Sequence, residues 1–376
     1  MGEAKKTGGA GLRGQSAGET ALSTVGVSGS GLTYRGYDVV DLAENVSFEE
    51  VAYLILYGKL PNQQELDAYI AKLKGLRGLS PELKLVLENI PKDSHPMDVL
   101  RTGCSMLGNL EMENDFSEQQ ESADRMLGAF PSIINYWYQY SHNGKRIEVE
   151  TDDDTIGGHF LHLLHGEKPS DLHAKVMGVS LILYAEHEFN ASTFAGRVCA
   201  STLSDIHSAV TSAIGTLRGP LHGGANEAAS DMIDQWKTPE EAEAAIMNML
   251  ETKQLIMGFG HAVYTESDPR NAVIKGWSKK LSDEVGDTHL YKVSERVEAV
   301  MKREKNLFAN ADFFHASSYQ FMAIPTKLFT PIFVCSRVTG WCAHIFEQRH
   351  NNRIIRPNAD YTGPELRSVE PIETRD

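Results

Sequence analysis

Four times this chain spells out the start of a helix, and it almost never spells out a strand. Ser47 is followed three residues later by Glu50, just ahead of the apolar run VAYLILYG. In such a pair the hydroxyl accepts the third residue's N–H while the glutamate reaches back to the first residue's own N–H. Asn62 with Glu65 repeats the device, and Leu66, Tyr69, Ile70 and Leu73 then fall on one helical face. Ser80-Pro81 and Thr238-Pro239 set a capping hydroxyl before a proline, whose missing N–H is no loss in a first turn, and Glu241 completes a box with Thr238. SDLHAKVMGVSLILYAEHEF and TPIFVCSRVTGWCAHIFEQ read as long, largely buried helices. No GxGxxG follows a predicted strand, and no internal repeat is visible. The pattern predicts an all-α protein.

The 376 residues, 41% of them hydrophobic, are enough for two domains and a sizeable core. Gly-rich or polar breaks at GTLRGPLHGG (215–224) and NADFFHASS (310–318) suggest a large unit made of 1–218 and 318–376, with a smaller unit, 219–317, inserted between. The opening residues 1–20 are small, polar and Gly-rich; they lack the apolar centre of a signal peptide and read as a flexible arm. No apolar run reaches the ~18 residues of a membrane span. A net charge of −15 argues against non-specific nucleic-acid binding, yet leaves small anions open, because local arginines decide those. The four cysteines form no CxxC pair, which fits a reducing compartment: the cytoplasm, or the mitochondrial matrix in a eukaryote.

Two stretches, GPLHGGANE (219–227) and GFGHAVYTESDPR (258–270), each box one histidine among glycines. Glycine in a packed element costs ~1 kcal/mol against alanine, so a close approach of backbone to a ligand is the leading reason to keep it. His222 precedes a predicted helix start, whose partial positive charge disfavours imidazolium and keeps the ring neutral. Taken singly it reads equally well as a core or capping histidine. Arg270 ends the second stretch and has the planar fork that matches a carboxylate, although a surface salt bridge would explain it alone. Asp312, in a polar break, would by itself pass for a helix cap. Arg337 stands inside an apolar helix, where an unpaired charge is costly. His187 sits beside Glu186 and Glu188, and Arg356 is close to the C-terminus. His159, His162 and His165 drift off a single helical face, so they make a poor metal site. His222, His261 and Asp312 form a superficial two-histidine, one-carboxylate metal set, but that chemistry needs neither the glycines nor the arginines. A non-catalytic helical scaffold would need none of these residues.

GPLHGGANE, GFGHAVYTESDPR, NADFFHASSYQ and SRVTGWCAHIFEQR, in this order and at these separations, resemble the citrate synthase family over about residues 20–365. YRGYDVVDLAE, SHPMDVLRTG, WYQYSHNGKRIEVETDDDTIGGHFLHLLHGEKPS, LYAEHEFNASTF and NNRIIRPNADYTGPE are similar to its 2-methylcitrate synthase branch. The resemblance implies a homodimer of two-domain helical subunits that close over oxaloacetate before an acyl-CoA binds. It implies condensation of the two and hydrolysis of the thioester, with propionyl-CoA as the branch's substrate and acetyl-CoA as the alternative. The acyl-CoA is a co-substrate; no permanently bound cofactor or metal is implied. By the same resemblance Asp312 is the base, His222 holds the thioester oxygen and His261 polarises the ketone of oxaloacetate. Arg270, Arg337, Arg356 and His187 bind oxaloacetate, with Arg356 reaching in from the second subunit. Leu255, Ile256, Met257, Gly258 and Phe259 wrap the CoA through main-chain groups. One departure stands out: Ala262 follows the second histidine where many members have arginine, so the CoA phosphates need other partners, for which Lys302, Arg303 and Lys305 are candidates.

Overall fold

The computed structural model describes residues 11–12, 14–29 and 31–375. Residues 1–10 and 13 of the expected flexible arm lie outside the described residues. The chain opens with three short strands, β1 (Ser23–Val27), β2 (Gly31–Tyr34) and β3 (Tyr37–Asp38), in an antiparallel sheet of that order. This small sheet is the one departure from an all-helical reading, and its Val- and Thr-bearing strands are short enough to escape a search for periodicity. Helices follow without interruption by further strands among the described residues: α1 (Val39–Asn45), α2 (Phe48–Tyr57), α3 (Gln63–Gly75), α4 (Pro81–Glu88), α5 (Pro96–Leu110), α6 (Gln119–Asn143), α7 (Ile156–His165), α8 (Asp171–Tyr184), α9 (Ala191–Ser201) and α10 (Ile206–Leu217). Then come α11 (Ala225–Ile233), α12 (Pro239–Glu251), α13 (Pro269–Val285), α14 (His289–Lys305), α15 (Ala311–Phe321) and α16 (Phe329–His350).

The local start signals form as local physics dictates. Ser47 and Asn62 make complete capping boxes with Glu50 and Glu65, and Ser80 caps α4 ahead of Pro81. Thr238 caps α12, but Glu241 reaches one residue further back than a box requires and accepts the Lys237 N–H. α8 stops at Tyr184 and does not run on through Glu186 and His187 as the apolar run suggested. The chain turns there, with Glu188 in the left-handed region at φ 53, and Glu186 folds under the turn to accept the Glu188 N–H.

α16 is the axis of the core. It is buried on nearly every side from Phe329 to Ile345 and packs on α6, α8 and α9, while α10 lies between α5 and α9. α13 packs on α15, α12 on α14 and α11 on α15. The end of α8, the starts of α11 and α15 and the middle of α16 converge, and the site lies there.

Candidate active site

A cleft of about 880 Å³ opens at this convergence. His187, His222, His261, Arg270, Asp312 and Arg337 all line it. Residues separated by as much as 150 positions in sequence thus meet on one surface. Arg356 is not among the lining residues; it is exposed and donates to Asn358. Nor does the cleft reach Leu255, Ile256, Met257, Gly258 or Phe259, although it includes Gly260, which follows them.

Each catalytic candidate has its protonation pattern set by neighbours. His261 Nδ1 accepts the N–H groups of Val263 (3.0 Å) and Tyr264 (3.2 Å), so the ring proton sits on Nε2, which is a donor. Burial, helped by the charge of Arg270, pushes its pKa down to about 4. His222 is the mirror case. Its Nε2 accepts the Ser192 N–H at 3.2 Å, which leaves the proton on Nδ1. The Ser192 hydroxyl oxygen stands 2.9 Å from the same Nε2 and 2.8 Å from Asn190 Oδ1, and it accepts from Trp341 Nε1. Burial first and Arg337 second push His222 down to about 4. Each ring is therefore a neutral donor with one free N–H.

Asp312 is not the cap of α15; Asn310 is, and its side chain accepts the Asp312 N–H. The carboxylate is therefore released into the cleft from the first turn. It accepts a 2.7 Å hydrogen bond from the Tyr184 hydroxyl. Burial lifts its pKa above the usual aspartate range, against the pull of that hydroxyl and of Arg270.

The arginines differ. Arg270 is buried and forked onto Asp268, Nε to Oδ1 at 2.9 Å and Nη2 to Oδ2 at 2.8 Å. Asp268 caps α13 and also accepts the Ala311 N–H, so one carboxylate fixes Arg270 and the start of α15 together. Arg337 is 1% exposed, donates Nε to the Tyr184 carbonyl and lies over the Phe333 ring, 4.6 Å from its centroid. It makes no ion pair among the described residues, and burial lowers its pKa to about 10. A guanidinium taken out of water with its forked end unpaired asks for an anionic ligand. His187 shares a 3.0 Å hydrogen bond with the Tyr264 hydroxyl and stands 5.1 Å from the His261 ring; burial, then Arg270 and Arg337, hold it well below the usual imidazole range.

Sequence reasoning missed several contributors. Tyr184 and Phe333 line the cleft with their ring centroids 4.1 Å apart and their planes tilted by 36°. Phe333 lies one turn before Arg337 on α16, a spacing that could have drawn attention to it. Glu186 is fully buried against His344 Nε2, 2.7 Å away, and Arg197 donates to Nδ1 of that imidazole. Leu12, Gly14, Gln15, Ser16, Ala17 and Gly18 of the presumed free arm also line the cleft, and Gly18 packs against Phe189. The glycine boxes have internal explanations. A Cβ on Gly223 would collide with the Leu217 carbonyl, and one on Gly258, at φ 84, would fall 2.8 Å from Phe313. These close approaches are to the chain's own atoms. Among the described residues no three His, Cys, Asp or Glu side chains gather as metal ligands would.

The comparisons decide the family. The profile described as "Citrate synthase, C-terminal domain" matches residues 11–358. The chain belongs to the citrate synthase family. Among its relatives, a 2-methylcitrate synthase of Shewanella oneidensis is 71% identical over the whole of both chains. A citrate/2-methylcitrate synthase of Bacillus subtilis is 39% identical over 94% of this chain and 96% of its own. Among solved structures, a Thermoplasma acidophilum citrate synthase in ternary complex with carboxymethyl coenzyme A and oxaloacetate superposes with a TM-score of 0.89 at 33% identity, covering 97% of this chain and 98% of that one. No helix among the described residues is long and apolar enough to cross a membrane.

Proposed function

We propose that this citrate synthase family member condenses propionyl-CoA with oxaloacetate and water to give 2-methylcitrate and free CoA. The observation that carries the reading is the pairing of two neutral imidazole donors with a buried carboxylate beside an arginine that makes no ion pair among the described residues. The 71% identity with the Shewanella 2-methylcitrate synthase favours propionyl-CoA.

The chemistry follows from the geometry. A carbon beside a thioester is a very weak acid, and a carboxylate takes its proton only if the charge that appears on the thioester oxygen is met at once. Asp312 Oδ takes the α-proton, and His222 Nδ1–H meets the enolate oxygen. His261 Nε2–H is hydrogen-bonded to the ketone oxygen of oxaloacetate, drawing electrons from the carbon under attack. The enolate carbon forms the new C–C bond as the ketone π bond opens onto oxygen, which takes up a proton through His261 Nε2–H to become the product's hydroxyl. Water then cleaves the thioester, leaving a carboxylate and the CoA thiol. Arg337 and the free side of Arg270 take oxaloacetate carboxylates, and His187 orients the ligand. Leu221, fully exposed at the cleft, and Val263 offer apolar surface to the acyl-CoA.

Arg270 is already neutralised by Asp268, so a single chain brings one unpaired guanidinium to a dicarboxylate. The second carboxylate calls for another cation, which supports a homodimer in which Arg356 of each exposed tail completes the other subunit's cleft. Residues 219–317 act as the smaller, moving domain. The later boundary falls within α15, so the hinge belongs in the turn after Phe321, where Ala323 has φ 55. Residues 255–259 reach CoA only when that unit closes, with Lys302, Arg303 and Lys305 the candidates for its phosphates. The enzyme works in the cytoplasm, or in the matrix of mitochondria.

The Bacillus relative that carries both names gives the acetyl-CoA reading its support. One methylene is worth only ~1–3 kcal/mol of discrimination, so both activities are expected in one cleft. Release of free CoA thiol, followed with propionyl-CoA and acetyl-CoA at saturating oxaloacetate, tests the reading. A higher kcat/KM for propionyl-CoA is expected; a preference for acetyl-CoA would make the chain a citrate synthase with the same site.

A further inference from the structure

Between Gly260 and Asp268 the chain has neither helix nor strand, and residues 262, 263 and 265–267 are exposed. His261 nevertheless needs its ring held in one orientation. Val263 and Tyr264 do this directly, through the two N–H groups that His261 Nδ1 accepts. The β1–β2 hairpin, more than 230 residues earlier in the chain, packs on Val263 and bonds the two residues after Tyr264. The Gly29 carbonyl accepts both the Thr265 N–H (3.0 Å) and the Glu266 N–H (3.3 Å). Gly26, at φ 73 where the β1–β2 register slips, lies so close to Val263 that a Cβ on it would fall 2.7 Å from Val263 Cγ1. Gly29, at φ 89, would put a Cβ 3.0 Å from Thr265 Oγ1 and Glu266 Cγ. Val25 and Val263 both line the cleft, so this contact forms one of its walls.

We propose that Gly26 and Gly29 are positioning residues for catalysis: the hairpin clamps the 263–266 turn, and the turn aims His261 Nε2–H at the substrate ketone. The proposal rests on the reading of His261 as the donor to oxaloacetate. It explains why two left-handed glycines stand at the end of the hairpin that meets the 263–266 turn. Any side chain there pushes on the turn, and the displacement is passed to the imidazole through the two hydrogen bonds that its Nδ1 accepts. A donor displaced by a fraction of an ångström still binds ligand but stabilises the reacting state less well.

The test uses Gly26→Ala, Val263→Ala and the double variant in the full-length enzyme. Steady-state kinetics are combined with the ¹³C resonance of the bound C2 carbonyl of labelled oxaloacetate and with amide hydrogen exchange at Thr265 and Glu266. Gly26→Ala is expected to lower kcat by about tenfold or more while moving the oxaloacetate KM by less than about threefold. The bound carbonyl resonance should retreat toward its position in free solution, and the two amides should exchange faster. Shrinking Val263 makes room for the new methyl, so the double variant should recover part of kcat and of the carbonyl shift. Wild-type kcat and carbonyl shift in Gly26→Ala, or losses that Val263→Ala does not relieve, would overturn the proposal. If Gly26→Ala does not fold, Val263→Ala alone loosens the same contact from the other side. It should then lower kcat with the carbonyl shift, and no change in either would overturn the proposal. The wild-type enzyme separates the two readings. An unpolarised carbonyl there removes His261 from its role, whereas a polarised carbonyl that stays polarised in the variants removes only the clamp.

Discussion

Burial raises the Asp312 carboxyl, and the Tyr184 hydroxyl and Arg270 pull it back. In the proposed mechanism this group must be ionised and both imidazoles neutral. His222 and His261, each pushed down to about 4, are neutral throughout the physiological range. As pH falls, protonation of Asp312, whose midpoint lies above the ordinary 3.8, removes activity, and the two rings take up protons only near 4. The pH profile of kcat/KM should show one acid limb and no inflection from these rings at the ordinary imidazole value of about 6.5. Tyr184→Phe deletes a donor to the charged form and should move that limb up by about one unit. A limb that stays in place would mean that the hydroxyl does not bear on Asp312. His222, His261 and Asp312 were legible in the sequence because glycine boxes and polar breaks interrupt an otherwise apolar chain. Tyr184 was not, since a tyrosine ending an apolar helix looks like core until its partner 128 residues away is known.

At the scale of elements, α16 approaches the turn that carries His187 more closely than side chains normally allow. Gly340 makes this possible: a Cβ there would overlap Glu186 Oε2 and the Ala185 carbonyl oxygen. Gly340→Ala must push α16 away from the 185–188 turn, at a cost of about 1–3 kcal/mol of stability. Because Arg337 lies one turn earlier on α16, the oxaloacetate KM should rise more than the acyl-CoA KM. Denaturant unfolding with kinetics for both substrates would check this, and equal rises would assign Gly340 to stability alone. Helix starts were readable because a cap and its partner lie three residues apart. The end of α8 was not. Glu186 leaves the helix to meet His344, 158 residues on, and no local pattern announces such a pair. The hairpin clamp on residues 263–266 was hidden for the same reason, and so was the seating of the N-terminal segment at the cleft.

For the whole molecule the decisive question is whether one chain suffices. Asp312→Asn should lose about three decades of turnover, and Arg356→Gln should be equally deficient in oxaloacetate binding. Unfolded and refolded together, the two variants should regain activity. A mixed dimer has one site carrying both defects and one carrying neither, so random assortment gives about a quarter of the wild-type rate. No recovery would place Arg356 in its own subunit's site or outside catalysis. The empty cleft has a thermodynamic side too. Arg337 is charged, almost wholly out of water and without an ion pair among the described residues, so the protein without its ligand carries an unmet electrostatic demand at its centre. A dicarboxylate that satisfies it binds the native chain and not the unfolded one, so the melting temperature should climb with the logarithm of oxaloacetate concentration, and much less so in Arg337→Leu. The metabolite that the enzyme consumes is then also its preservative: a cell short of oxaloacetate would hold a pool of this protein that turns over faster, its abundance following supply before any gene is regulated.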